Sequence, residues 1–282
     1  TLFDRGAQFP HFEAMLQKGH PDLGLVIRTL AWAADEVDLM PRPENFGTLN
    51  QHLTAQKADV IFAAFGFNES FGGVEKLPEF KLRLTAFLQE LKTHAYNGKR
   101  GPQIVLVSPT ANEDIKGVPA ATMNNARLAA YTKAMGEVAA AEKVGFADVF
   151  EPKTGLTFNG VHFDDAGYAA FGEALYRATF AVSAPETSAE LRTAIADKNT
   201  RFFQRYRPLN GFYYTGDRNK DYGYLDFLPA MRSFDIMVAN RDRHIWDMSK
   251  PIDDSNVPEM PATKESKLSL IHISEPTRPR LI

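Results

Sequence analysis

The sequence contains no cysteine. That excludes a disulfide framework, a thiolate metal site and c-type haem attachment within this segment. No apolar run approaches the roughly 20 residues of a membrane-spanning helix. Neither sign of charge dominates: 32 Lys and Arg against 35 Asp and Glu leave a net charge of −3, which gives no reason to expect a nucleic-acid partner. Internal repeats are absent, and His11, His20, His52, His94 and His244 lack metal-ligand spacing. What is present is a globular composition, 44% hydrophobic and 24% charged over 282 residues. A chain of this size buries a full core as one large domain, or one and a half.

Short apolar runs at 23–30, 60–65, 104–107 and 144–150 read as strands. Helical patterns lie between and after them. Over 77–94, Phe80, Leu84, Phe87, Leu88 and Leu91 fall at helical spacing. An alanine-rich helix is predicted over 124–143 and another over 166–179, with Asp164 or Asp165 as N-cap. This alternation predicts an α/β fold, a doubly wound parallel sheet of at least four strands in a three-layer α/β/α arrangement. After about Ala184 the pattern changes to a helical C-terminal extension. Helices are predicted over 186–206 and 229–246 around a polar, aromatic loop, and a proline-marked linker covers 251–261.

Two short stretches carry the chemistry. Gly66-Phe67-Asn68 closes the run at 60–65, placing an asparagine at the C-terminal end of a parallel strand, a natural polar site in such sheets. Asn159-Gly160-Val161-His162 puts a histidine in a turn just before a helix. Together and in this order they resemble the SGNH (GDSL-like) hydrolase family of esterases and acylhydrolases. The resemblance implies an oxyanion donor at Asn68 in the Gly66 block, a second at the backbone of Ala34, and a general base at His162. It places Thr1 where the family has its serine nucleophile, and Asn159 where it has the aspartate that orients the base. A hydroxyl beside a base can act as nucleophile, although the extra methyl of threonine crowds attack and restricts χ1. Thr1 could equally open a helical turn and do no chemistry, and Asn159-Gly160 could simply form a turn.

Other residues weigh less. Ser70, beside the oxyanion donor, is expected to point away from the site and not to be the nucleophile; Ser108 reads as a turn residue; Asp164 or Asp165 could substitute for Asn159 but read more as caps. Tyr213, Tyr214 and Tyr222 in the aromatic loop would form either a substrate-binding lip or a local mini-core. The expected activity is hydrolysis of esters, with O-acyl groups on carbohydrate as substrate and no metal or organic cofactor. The alternative is a non-catalytic glycan-binding or docking module of a larger exported protein. The extension resembles the segment after SGNH-like domains in large exported planctomycete and verrucomicrobial proteins, which implies a periplasmic or extracellular location and further domains. The expected organisation is an α/β domain over 1–184 whose first strand would precede Thr1, a helical extension over 185–250, and a linker and tail over 251–282. Residues 267–282 resemble a translated sequencing-adapter read-through and are expected to be non-native.

Overall fold

A computed structural model describes residues 1–207 and 227–259. In chain order its strands are β1 (Val60–Ala64), β2 (Gln103–Val107), the two-residue β3 (Asp114–Ile115) and β4 (Val118–Pro119), and β5 (Gly145–Ala147). The helices are α1 (Leu2–Gly6), α2 (His11–Gly19), α3 (Leu49–Ala55), α4 (Leu77–Lys92), α5 (Ala120–Glu142), α6 (Asp165–Phe180), α7 (Ala189–Tyr206) and α8 (Phe227–Trp246). Strands β1, β2 and β5 form a parallel sheet in the order β1-β2-β5. Strands β3 and β4 pair separately as a small antiparallel hairpin.

The sheet is covered on both faces, and side-chain alternation explains why. Ile61, Ala63, Ile104, Leu106 and Phe146 point into a core shared with Phe80, Leu84 and Leu88 of α4 and Tyr131 and Met135 of α5. Their neighbours Phe62, Ala64, Val105, Val107 and Ala147 point the other way, against Phe12 of α2 and Phe171 and Leu175 of α6. Strands buried on both faces read as continuous apolar runs, which is how they appear in the sequence. The three-layer α/β/α architecture is therefore as expected, and α4 to α8 fall where the periodicity puts them.

The sheet differs from expectation in having three parallel strands among the described residues, not four or more. The apolar stretch 23–30 is not a strand. Its entry is turned by a 3₁₀ segment, Pro21–Leu23, and by Gly24 at φ +56°. Residues 25–31 then line, together with β1, a cavity of about 870 Å³. Outside any ladder, this segment has three of its carbonyls satisfied by side chains instead. Leu25 O accepts from Gln17 Nε2 at 3.0 Å and Trp246 Nε1 at 2.9 Å, Ile27 O from Lys198 Nζ at 2.9 Å, and Leu30 O from the Tyr206 hydroxyl at 3.2 Å.

Those donors come from α2, α7 and α8, so the same contacts fasten the C-terminal helices. Lys198, with no exposed surface, is ion-paired to the buried Glu13, which also accepts from Asn199. Arg28 grips Asp242 of α8 with two guanidinium nitrogens. Trp32 is sandwiched between Arg42 and Arg207, whose guanidinium carbons lie 4.5 and 4.1 Å from its ring centroid. Beyond α8, Asp254 accepts from Asn240 at 2.8 Å and Arg241 at 3.0 Å, so the first part of the expected linker lies pinned against that helix.

Removing one partner of a buried ion pair leaves the other charged and unsolvated, at a cost of about 3–5 kcal/mol. Lys198→Met is expected to destabilise by about that much in urea unfolding. Glu13→Leu combined with Lys198→Met should recover most of the loss, because the second change removes the stranded carboxylate.

Candidate active site

The site is built from three loops at the C-terminal end of the sheet and from the start of the chain. Strand β1 runs out into Gly66, whose φ is +88°. A Cβ there would lie 3.0 Å from Met135 Sδ and 3.2 Å from Pro109 Cγ, so both conformation and space require glycine. One turn later sits Glu69, only 7% exposed. Its Oε2 accepts from the Gly66 N–H at 2.8 Å and its Oε1 from the Val37 N–H at 3.0 Å. Burial raises the Glu69 pKa, while these N–H donors pull it down. One buried carboxylate thus ties the 66–69 turn to the 33–37 turn.

Asn68 strengthens the same junction, its Nδ2 donating to Asp35 O at 3.2 Å. Asp35 in turn accepts two bonds from Arg42, at 2.7 and 2.6 Å. Between these anchors Ala34 is held at φ +67°, a left-handed conformation that non-glycine residues adopt at a cost. That conformation aims the Ala34 N–H at Thr1 Oγ1, 3.3 Å away. Thr1 is the N-cap residue of α1, but its hydroxyl makes no capping bond. Gly66 departs from the expected oxyanion role: its N–H is occupied by Glu69, so its contribution is to let the chain turn.

The histidine loop is held from below by Glu113, itself buried. The Glu113 carboxylate accepts from the Thr157 N–H at 2.7 Å and from the Thr157 hydroxyl. Asn159 Oδ1 accepts from the N–H groups of His162 at 2.8 Å and Val161 at 3.2 Å, closing an Asx turn. His162 Nδ1 lies 3.0 Å from Asn159 Nδ2 and 3.2 Å from Oδ1. The imidazole stacks on Phe158, with ring centroids 5.9 Å apart and planes inclined by 22°. Burial lowers the His162 pKa below the usual 6.5, and the charge of Arg5 lowers it further. The free-base form that proton abstraction needs is therefore favoured at neutral pH.

Direct contacts join Thr1 to Ala34, Asn68 to the adjoining Asp35, and Asn159 to His162. The charge of Arg5 reaches the imidazole. Asp164 and Asp165 take no part at the imidazole. Asp164 caps α6 by accepting from Gly167 N at 2.8 Å, and Asp165 pairs with His11 at 2.8 Å. Ser70 is 1% exposed and donates to Phe67 O at 2.7 Å. Ser108 is fully buried and receives Val149 N at 2.8 Å. Both serines are structural. Tyr213, Tyr214 and Tyr222 lie outside the described residues. Among the described residues no group of three or more His, Asp or Glu side chains could hold a metal ion. Sequence reading missed Glu69 and Glu113, because nothing in a lone glutamate reveals which backbone N–H groups it will meet.

Two stability measurements probe this scaffold. Ala34→Gly relieves the left-handed strain, less the extra chain entropy of glycine, and should stabilise by up to about 1 kcal/mol in thermal or urea unfolding. Glu69→Gln turns an acceptor into an amide that faces a backbone N–H. It is expected to destabilise by about 1–3 kcal/mol.

A search of curated proteins finds no match to this chain. Among solved structures, a variant of Axe2, an acetyl-xylooligosaccharide esterase from Geobacillus stearothermophilus, aligns at 18% identity and a TM-score of 0.47, covering 64% of this chain and 83% of that one. A catalytic mutant of the same acetylxylan esterase aligns at 18% identity and a TM-score of 0.43, covering 61% and 80%. Overlap at this level has no bearing on what this chain acts on. The model of the GDSL-like lipase/acylhydrolase family matches residues 4–170, a span that includes Ala34, Asn68, Asn159 and His162, and by that match over more than half its length this chain belongs to the GDSL-like lipase/acylhydrolase family.

Proposed function

We propose that this chain is an SGNH-type hydrolase of ester bonds, with O-acyl groups on carbohydrate as its substrate class and a periplasmic or extracellular place of work. The observation that carries the proposal is the Thr1 hydroxyl resting on the Ala34 amide, in a loop whose strained conformation directs that amide at it. His162 takes the Thr1 proton as Oγ1 attacks the acyl carbon. The carbonyl oxygen becomes an oxyanion, for which the Ala34 N–H and the Asn68 amide are the donors. Collapse breaks the bond to the alcohol, and the imidazolium returns its proton to that leaving oxygen. Water, deprotonated by the same imidazole, then attacks the acyl-threonine. This second collapse releases the acid and restores the Thr1 hydroxyl.

Asn159 is the weak member of this arrangement. Its Oδ1 already accepts two backbone N–H groups, and its Nδ2 is the nearer atom to His162 Nδ1. An amide donating to Nδ1 favours the tautomer that carries its proton on Nε2, the wrong one for a base. In serine proteases the corresponding aspartate-to-asparagine change costs about 10⁴ in kcat. The same observation favours the second reading, a non-catalytic module that binds a glycan or docks a neighbouring domain.

Activity against an activated aryl acetate distinguishes the two readings. His162→Ala should lower kcat/KM by about 10²-fold or more. Asn159→Asp should raise it, because a carboxylate accepts from both the backbone and the Nδ1–H. Thr1→Ser should raise it by relieving crowding at the hydroxyl. No turnover above buffer in the parent or in either back-substituted variant would leave the binding-module reading in place.

The pH profile is set by the His162 shift. A depressed pKa keeps the imidazole neutral to lower pH, so kcat/KM should hold as pH falls through 6.5 and decline only below it. An acid limb centred above 6.5 would contradict His162 as the base.

A further inference from the structure

Beyond its field at His162, Arg5 has no role in the chemistry derived so far. It lies one helical turn after Thr1, its N–H donating to Thr1 O at 3.0 Å. Its guanidinium carbon sits 5.1 Å from the centroid of the Phe158 ring, and Phe158 stacks on His162. Its field reaches both the His162 imidazole and the Tyr168 phenol. Among the described residues Arg5 has no carboxylate partner. The adjoining Asp4 is paired with Arg207 instead, at 2.5 Å. The Arg5 Nε is buried and makes no hydrogen bond. A half-buried guanidinium normally finds a carboxylate, since its five donors form a fork suited to one. Phe158 is itself 57% exposed, and Arg5 is half-buried beside it.

We propose that Arg5 is a specificity-determining residue that binds a carboxylate on the alcohol portion of the substrate. The side is fixed by the chemistry of the site. The imidazole must return its proton to the departing oxygen, so the alcohol lies against His162. Arg5 and His162 both pack on Phe158, so Arg5 meets the alcohol and not the acyl group. The preferred substrate is an ester of an acidic alcohol, of which an O-acylated sugar acid is the carbohydrate case. The aromatic face of Phe158 provides the platform between scissile bond and carboxylate. This inference rests on the ester-hydrolase reading for its choice of substrate, and on the geometry of Arg5 for the anion.

The test compares 3-acetoxybenzoate, whose leaving alcohol carries a carboxylate, with neutral 3-acetoxybenzamide, in the parent chain and in Arg5→Gln and Arg5→Lys. Taking the ratio of kcat/KM values across variants cancels the intrinsic reactivity of the two esters. Arg5→Gln should lower the anionic-to-neutral ratio about tenfold, the loss of one charge-assisted contact, and Arg5→Lys should fall between. A parallel titration of 3-hydroxybenzoate, followed by the ring resonances of His162, should weaken by a similar factor in Arg5→Gln. Equal losses on both esters, or an unchanged ratio, would overturn the proposal and leave the hydrolase reading intact. Absence of hydrolysis with Arg5-dependent binding of 3-hydroxybenzoate would uphold the anion site and remove the hydrolase reading. Absence of both would remove both. Should Arg5→Gln fail to fold, the salt dependence of the ratio in the parent decides. A carboxylate–guanidinium contact weakens with ionic strength, and a flat ratio would sink the proposal.

Discussion

The buried carboxylate of Glu69 is the constraint on which the rest of the site depends. It accepts from Gly66 in one turn and Val37 in another, so two loops from different parts of the chain move as one piece. Beside those turns Ala34 is held in a left-handed conformation, and its N–H donates to Thr1 Oγ1. Asn68 is placed by the same junction through Asp35. In the proposed hydrolase, a donor pair so held would need little rearrangement when charge develops, and the residue that holds it is not one of the donors.

Glu113 performs the equivalent task on the opposite side. It holds Thr157 and thereby the turn from Asn159 to His162. Each half of the site is thus a short polar loop braced by one glutamate beneath it. On the proposed reading, the bracing groups and the chemical groups are therefore different residues.

Much of the fold is legible in the sequence because it depends on local periodicity. The runs ending at Ala64, Val107 and Ala147 alternate between two cores, and α4 to α8 follow a helical repeat that survives in any context. The stretch 23–30 misleads for the complementary reason. Its apolar run fits a strand, yet whether a strand forms depends on a neighbour within hydrogen-bonding reach, which is non-local information. The helices α1 to α3 are short, and α2 carries polar side chains such as Glu13 and Gln17 inward, which masks its periodicity. Within the site, His162, Asn159, Asn68 and Gly66 are visible through their spacing. The donor role expected of Gly66 is not met, because the decisive competitor for its N–H is a side chain three residues away. Arg5 is invisible as a candidate, since the meaning of a guanidinium lies in which carboxylates fail to reach it.

The helical pair α7–α8 is clasped by the stretch that failed to become a strand, and the two tryptophans of the chain stand at that clasp. Trp246 donates to Leu25 O, and Trp32 lies between Arg42 and Arg207 at the end of α7. The sheet itself contains no tryptophan. Intrinsic fluorescence of this protein is therefore a gauge of helix docking and is blind to the sheet. Any partner, ligand or variant that lifts α7 and α8 away would change the emission while the α/β core stayed folded, and a far-ultraviolet signal that outlasts the fluorescence would mark the order in which the two parts come apart.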